Sequence, residues 1–207
     1  MNLDPNSVSI ERYRSRAEGY DASARRTMPL RRRTIALLQL RPGQVVLDVG
    51  AGTGLSYALL RDAVGSAGRV LGVEQSPDMF AQAEARVARE GWRNVWHVQS
   101  SAEAVQLPEP ADAVLFNFTH DILRSPQAVA NVMRQVRPGG RVAVAGMKFF
   151  PWWTGPLNLL PWLKNRPYNA RPADLWHPWD LVELHCEAFR RASVMWGMGY
   201  IASATKR

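Results

Sequence analysis

Cysteine occurs once in the 207 residues, at Cys186. A single thiol excludes an internal disulfide and any metal site built from several thiolates. The expectation for Cys186 is a packing residue on a helix face. No run of 18 or more apolar residues occurs, so no segment is expected to span a membrane. The first residues are polar and Arg-bearing, with no apolar stretch among them, so no secretory signal is expected and a cytoplasmic location follows. The four histidines, His97, His120, His177 and His185, are scattered along the chain, and no bound metal is expected. No Gly-Lys-Ser/Thr phosphate loop, zinc, KH or RNA-recognition motif is present. No internal repeat or low-complexity tract occurs.

Charge is what the chain has in excess, at a net +8. It is unevenly spread. Residues 1–41 carry +5, residues 42–147 carry −1 and residues 148–207 carry +4. The excess therefore lies in the two flanks, where it makes a solvated Arg-rich face or attracts an anionic substrate or a membrane surface. A nucleic-acid partner is not expected.

The most informative stretch is Val45-Val46-Leu47-Asp48-Val49-Gly50-Ala51-Gly52-Thr53-Gly54. An apolar strand breaks into a glycine turn and a helical pattern follows it. Such a turn sets bare backbone against a ligand at the positive end of a helix. The spacing is G-x-G-x-G, not the G-x-G-x-x-G of a dinucleotide site. Asp48, ahead of the turn, would repel a pyrophosphate and attract an ammonium group. Glu74, twenty residues after Gly54, ends the second apolar strand, where it can accept bonds from both hydroxyls of a ribose.

Around this turn the pattern alternates. Residues 7–40 read as helical, with Arg31–Leu40 as an amphipathic segment, and Arg41-Pro42-Gly43 is a turn. Strands are expected at 44–49, 69–74, 94–99, 111–118 and 141–147. Helices are expected at 77–90 and 126–136, the latter closed by Arg137-Pro138-Gly139-Gly140. Continuous apolar strands separated by helices imply a parallel sheet covered on both faces. Phe149–Leu163 has no charge, three prolines and three tryptophans, which argues against a regular helix or a central strand there. Asp174–Phe189 reads as a helix, and 191–198 with 199–205 as a closing hairpin.

These residues carry a family resemblance. Val46–Gly54 resembles the first motif of class I S-adenosylmethionine-dependent methyltransferases. Val70–Ser76 resembles their ribose-binding strand end, Gln99–Glu103 their adenine loop, Asp112–Asn117 their fourth strand and Val136–Arg141 the turn into their fifth. The likeness covers roughly residues 40–148 and is closest to small-molecule enzymes of the quinone-biosynthesis type. It implies an α/β Rossmann-like sheet of seven strands, mostly parallel, with helices on both faces and an antiparallel C-terminal hairpin. The single domain would comprise an N-terminal lid (1–41), a cofactor core (42–148), an aromatic insertion (149–179) and a final helix and hairpin (180–207). S-adenosylmethionine is the implied cofactor. The residues implied to bind it are Tyr20, Asp48, Gly50, Ala51, Gly52, Thr53, Gly54, Glu74, Gln75, Met79, Ser101, Ala102 and Asn117. Ser101 stands where the family often carries Asp, which leaves the adenine contact to a backbone group.

Methyl transfer from a sulfonium needs alignment and dryness, sometimes a base, and no metal. Ligands gather beyond the carboxyl ends of parallel strands. After the fourth strand comes Asn117-Phe118-Thr119-His120-Asp121. His120 is the candidate general base or orienting residue, and alternatively a helix cap or a ring packed under adenosine. Asp121 is its candidate orienter, and alternatively a helix-start acid. Lys148 either neutralises an acidic acceptor or is a solvated strand end. Tyr20-Asp21 resembles the segment that covers the cofactor. The tryptophans of 149–179 suit an apolar or aromatic small-molecule acceptor, packing partly as core and partly as pocket wall. The same segment with its basic neighbours also suits a lipid headgroup and a peripheral membrane contact. The expected function is methyl transfer to a small hydrophobic or aromatic metabolite. The alternatives are a phospholipid N-methyltransferase and a non-catalytic cofactor-binding partner.

Overall fold

The computed structural model describes residues 27–165 and 175–207. Its strands are β1 Val45–Val49, β2 Arg69–Glu74, β3 Val95–Gln99, β4 Ala111–Asn117, β5 Val136–Met147, β6 Cys186–Val194 and β7 Gly199–Lys206. They form one seven-stranded sheet in the order β3-β2-β1-β4-β5-β7-β6. β1 to β5 are parallel, and β7 inserts antiparallel between β5 and β6. The expected mostly parallel sheet with its antiparallel C-terminal pair is what forms. β1 is buried along its whole length and β4 at every position but Asp112, which is why both read as unbroken apolar runs.

The helices are α1 Met28–Ala36, α2 Tyr57–Val64, α3 Pro77–Arg89, α4 His120–Leu123, α5 Pro126–Arg134, α6 Leu159–Asn165 and α7 Asp180–Glu183. Two begin in the same way. Ser76 and Ser125 each cap a helix by accepting a bond from the amide three residues on, and a proline follows each, where its missing N–H costs nothing. One face of the sheet packs Val46, Val70, Leu115 and Ala143 against Leu60, Val64 and Ala83. The other packs Leu47, Val114, Phe116 and Val144 against α5, Trp179 and Tyr200.

Four readings of the sequence need correction. α1 stops at Ala36, and Leu38 is buried in the turn beyond it. β5 begins at Val136, ahead of the Arg137–Gly140 turn, because that turn is an excursion inside the strand. Val136 pairs with Ala111 and Arg141 with Ala113, so four residues bulge opposite Asp112. Phe149–Leu163 does reach a helix: a 3-10 turn at Trp152–Asn158 leads into α6. Pro161 is tolerated in the first turn of α6, where its N–H would have no partner. The expected helix at Asp174–Phe189 begins outside the described residues; from 175 to 189 only α7 is α-helical, and Cys186 opens β6 rather than sitting on a helix face. Leu175, Trp179, Val182 and Cys186 are all buried, and their spacing of four, three and four imitates a helix. Burial pushes the Cys186 thiol up to about 11, so the residue packs and is otherwise inert.

The strand order reverses between β1 and β4, and a ligand crevice opens there beyond their carboxyl ends.

Candidate active site

The glycine turn follows β1 as expected. Gly50, Gly52 and Gly54 have φ of 62°, 60° and 75°, the left-handed region that other residues enter at a cost. Two of these glycines, Gly50 and Gly52, line the cleft with their backbone. The Glu74 carboxylate closes the turn from the side, accepting bonds from the amides of Gly52 and Ser76, each at 2.8 Å. Burial raises the pKa of Glu74, against the pull of these amides and that of Gln75. Its remaining lone pairs sit at the cleft wall.

Beneath the turn lies a buried polar cluster. Arg31 of α1 is 5% exposed. Its guanidinium donates to the Ser56 hydroxyl at 2.6 Å. With the Asn117 amide oriented to satisfy both groups, the Asn117 oxygen accepts from the same guanidinium at 2.6 and 3.3 Å. Asp48 shares the cluster. Burial pushes its carboxyl up to about 7, while Arg31 and a bond from Ser56 pull it down. Its Oδ2 is buried without a partner. α1 thus delivers a cation to the carboxyl ends of β1 and β4. The sequence reading placed Arg31 in an amphipathic segment only, and no local pattern distinguishes it from Arg32 and Arg33.

Of the expected cofactor set, Gly50, Gly52, Glu74, Gln75, Met79, Ala102 and Asn117 line the cleft, together with His120 and Asp121. Ala51, Thr53 and Gly54 support the turn instead. Ala51 and Thr53 are buried, and Gly54 lies against the Tyr57 ring. Ser101 is outside the lining, and its neighbour Ser100 takes that place. Tyr20 and Asp21 lie outside the described residues. Sequence reasoning missed Ser76, Phe118, Thr119 and Ile122 as lining residues. The Ser76-Pro77 cap signature and the position of the segment after β4 were the available signals.

His120 opens α4 and is 5% exposed. Its Nε2 accepts a bond from the Met147 amide at 3.3 Å. That bond occupies the lone pair and leaves the proton on Nδ1, which is buried without a partner. Burial lowers the imidazole to about 4. The ring is therefore neutral near pH 7, with an N–H to give. Asp121 reaches the cleft but pairs with neither ring nitrogen of His120.

Comparison with known proteins agrees with this geometry. A methyltransferase-domain family model matches residues 46–140. The chain is 30% identical to a demethylmenaquinone methyltransferase of Symbiobacterium thermophilum, over 83% of this chain and 80% of that one. It is 34% identical to a phosphatidylethanolamine N-methyltransferase of Cereibacter sphaeroides, over 76% of this chain and 74% of that one. It spans only 48% and 29% of two other curated methyltransferases that it matches. The fold is that of a methyltransferase from Aquifex aeolicus, with a TM-score of 0.68, 20% identity and full coverage of both chains. The chain belongs to the class I S-adenosylmethionine-dependent methyltransferases and resembles their quinone-biosynthesis group.

The cofactor of this family is S-adenosylmethionine, and the cleft fits it. Glu74 offers carboxylate lone pairs for ribose hydroxyls. Gly50 and Gly52 offer open backbone. Asn117 is the member of the buried cluster that lines the cleft; Asp48 and Arg31 lie behind the lining, where they set the charge around its amide and leave one Asp48 oxygen buried without a partner.

Proposed function

We propose that the protein transfers a methyl group from S-adenosylmethionine to a small apolar or aromatic acceptor. The observation that carries this reading is a second pocket at the same carboxyl edge of the sheet. Its walls include Phe149, Trp152, Trp176, Trp179 and Tyr200. In this reading the pocket-lining residues Phe149–Trp152, Trp176 and Trp179 serve acceptor recognition within a single methyltransferase domain.

S-adenosylmethionine supplies a methyl group already activated by a positive sulfur. The work left to the chain is binding, alignment and exclusion of water. Glu74 and the glycine turn fix the nucleoside side of the cleft, and Asn117 with Arg31 fixes the amino-acid side. Phe118, held at φ 61°, and Ile122 wall off water. His120 offers Nδ1–H to the acceptor, orienting it and stabilising negative charge on its nucleophilic atom. In this reading His120 is a donor and not a base. A non-catalytic cofactor-binding role is disfavoured by a neutral imidazole among the residues that line the cleft.

The test is methyl transfer from labelled cofactor to a panel of hydroquinones and phenols, with phosphatidylethanolamine vesicles alongside. Turnover on apolar aromatic acceptors is expected. His120→Ala should lower kcat about a hundredfold while binding of the cofactor product stays near that of the parent. Absence of turnover on every aromatic acceptor overturns the reading.

A specific observation favours phospholipid N-methylation as the second reading. Trp152, Trp153 and Trp196 are 79%, 72% and 96% exposed, and Leu157, Leu159, Leu160 and Leu163 are about half exposed. The β6–β7 turn that carries Trp196 meets Phe150 through Gly197, so these residues border the same edge of the sheet. Exposed indoles beside cations are the chemistry of a peripheral membrane contact. Turnover confined to the vesicles would select this reading.

A further inference from the structure

Lys148 and Arg191 line the second pocket. Lys148 lies two residues beyond Gly146, which pairs with Tyr200, and Arg191 pairs with Ala202. Paired residues and residues two apart share a face, so both cations rise from the face that carries the Tyr200 ring. The Arg191 guanidinium stands 4.8 Å over the Trp179 ring. Among the described residues the Lys148 ammonium donates to the Phe149 carbonyl alone, at 3.4 Å. Among the described residues neither cation has a carboxylate partner. Burial, and then the charge of Arg191, holds Lys148 below the usual lysine range, as happens when like charges meet with nothing negative between them. The inner wall is Tyr200, edge-on to Trp179 at 4.8 Å. Its hydroxyl is buried without a hydrogen-bond partner.

We propose that this pocket holds the acceptor by an anionic group. Lys148 and Arg191 bind a phosphate, sulfate or carboxylate, and the indoles of Trp176 and Trp179 take the apolar body attached to it. This deepens the methyl-transfer reading and rests on it for the statement that the ligand is the acceptor. The pocket adjoins the cleft across Gly146. A Cβ there would lie 2.9 Å from Cε1 of His120 and 3.2 Å from Cε1 of Tyr200. The cleft's imidazole and the pocket's phenol therefore stand side by side, and a body anchored at Lys148 lies next to His120. Two cations and two indoles select an anionic amphiphile over a neutral one of the same size.

The experiment is a binding titration on the full chain with S-adenosylhomocysteine present, followed by tryptophan fluorescence. The probes are octyl phosphate, octanol and inorganic phosphate, with phosphatidylcholine vesicles with and without phosphatidylglycerol as a further arm. Octyl phosphate should bind at least tenfold more tightly than octanol or inorganic phosphate. Lys148→Gln and Arg191→Gln should each weaken it about tenfold, without changing S-adenosylhomocysteine affinity. Loss of vesicle binding in the same variants identifies a lipid headgroup as the source. Loss confined to octyl phosphate identifies a free anionic metabolite. Equal affinity for octyl phosphate and octanol, or unchanged affinity in the Lys148→Gln/Arg191→Gln double variant, overturns the proposal. The readout is binding, so failure of the anion site leaves methyl transfer standing, and absence of turnover leaves the anion site standing.

Discussion

The Nε2 of His120 accepts the amide proton of Met147 at 3.3 Å, tying the residue that opens α4 to the last residue of β5. The imidazole is neutral there because burial lowers its pKa from 6.5 to about 4. The unfolded chain binds this proton near pH 6.5 and the folded chain only near pH 4. The stability associated with neutral His120 is thus intact above pH 6.5 and lost as pH falls toward 4. At pH 4.5 the loss is on the order of 2–3 kcal/mol. His120→Gln has no proton to gain. Urea unfolding at pH 7.0 and 4.5 should show the parent losing that much more stability than the variant, and equal losses would refute the burial of a neutral ring. The activity profile should likewise show no inflection near pH 6.5 that disappears in His120→Gln.

Asp48 works in the opposite direction. Burial raises its carboxyl from 3.8 to about 7, so the folded chain takes up a proton that the unfolded chain releases. This contribution is present below pH 3.8 and lost as pH rises toward 7. Over pH 4–6.5 it offsets His120. Asp48→Asn removes it and should expose a steeper loss of stability on acidification than the parent shows. The parent's own stability should change little over that window. A variant curve parallel to that of the parent would contradict the assignment.

Arg31 joins Ser56 and Asn117 from a helix outside the sheet. Arg31→Met leaves their oxygens and Asp48 buried without the cation. Such a break costs about 3 kcal/mol or more, and calorimetry should show it as a lower Tm. Affinity for S-adenosylhomocysteine should fall about tenfold. Arg31→Lys restores the charge but not the fork that spans two acceptors, so it should recover the fold better than the affinity. Parent-like affinity in Arg31→Met would remove Arg31 from the cofactor site.

The parts of the molecule that depend on neighbouring residues in the chain were legible from sequence. The apolar runs of β1 and β4, the Asp48–Gly54 turn and the position of Glu74 all follow from local spacing, and the mostly parallel sheet with its antiparallel C-terminal pair followed from the family they resemble. What the sequence concealed depends on contacts between distant segments. Arg31 is distinguished from its neighbours by Asn117, which is 86 positions away. His120 reads as a base because nothing local says that the Met147 amide occupies its lone pair. The stretch from Leu175 to Cys186 has helical spacing, yet it is packing against Tyr200 and the edge of β7 that decides its form.

Gly146 is the floor shared by the cleft and the second pocket. An added Cβ would press on His120 and Tyr200, and both rings are buried too tightly to yield. Gly146→Ala should cost about 1–3 kcal/mol by overpacking. It should also push His120 off the Met147 amide and lower kcat by more than the fall in stability explains. Kinetics at a temperature where the variant is fully folded separate the two effects, and an unchanged kcat there would mean that the ring position does not matter.

Trp152, Trp153 and Trp196 are largely solvent-exposed, so they add little to the fold. Replacing all three with serine should change unfolding free energy by less than about 0.5 kcal/mol per site. Together they leave an exposed apolar rim, the kind of patch that marks an interaction surface. If that cover is a lipid surface, sedimentation with phosphatidylglycerol vesicles should recover the parent and leave at least about tenfold less of the triple variant bound. Binding of the parent should weaken with salt, because the cations beside the rim are screened. A triple variant that unfolds would place these indoles in the core, and one that still sediments with vesicles would move membrane contact to another face of the protein.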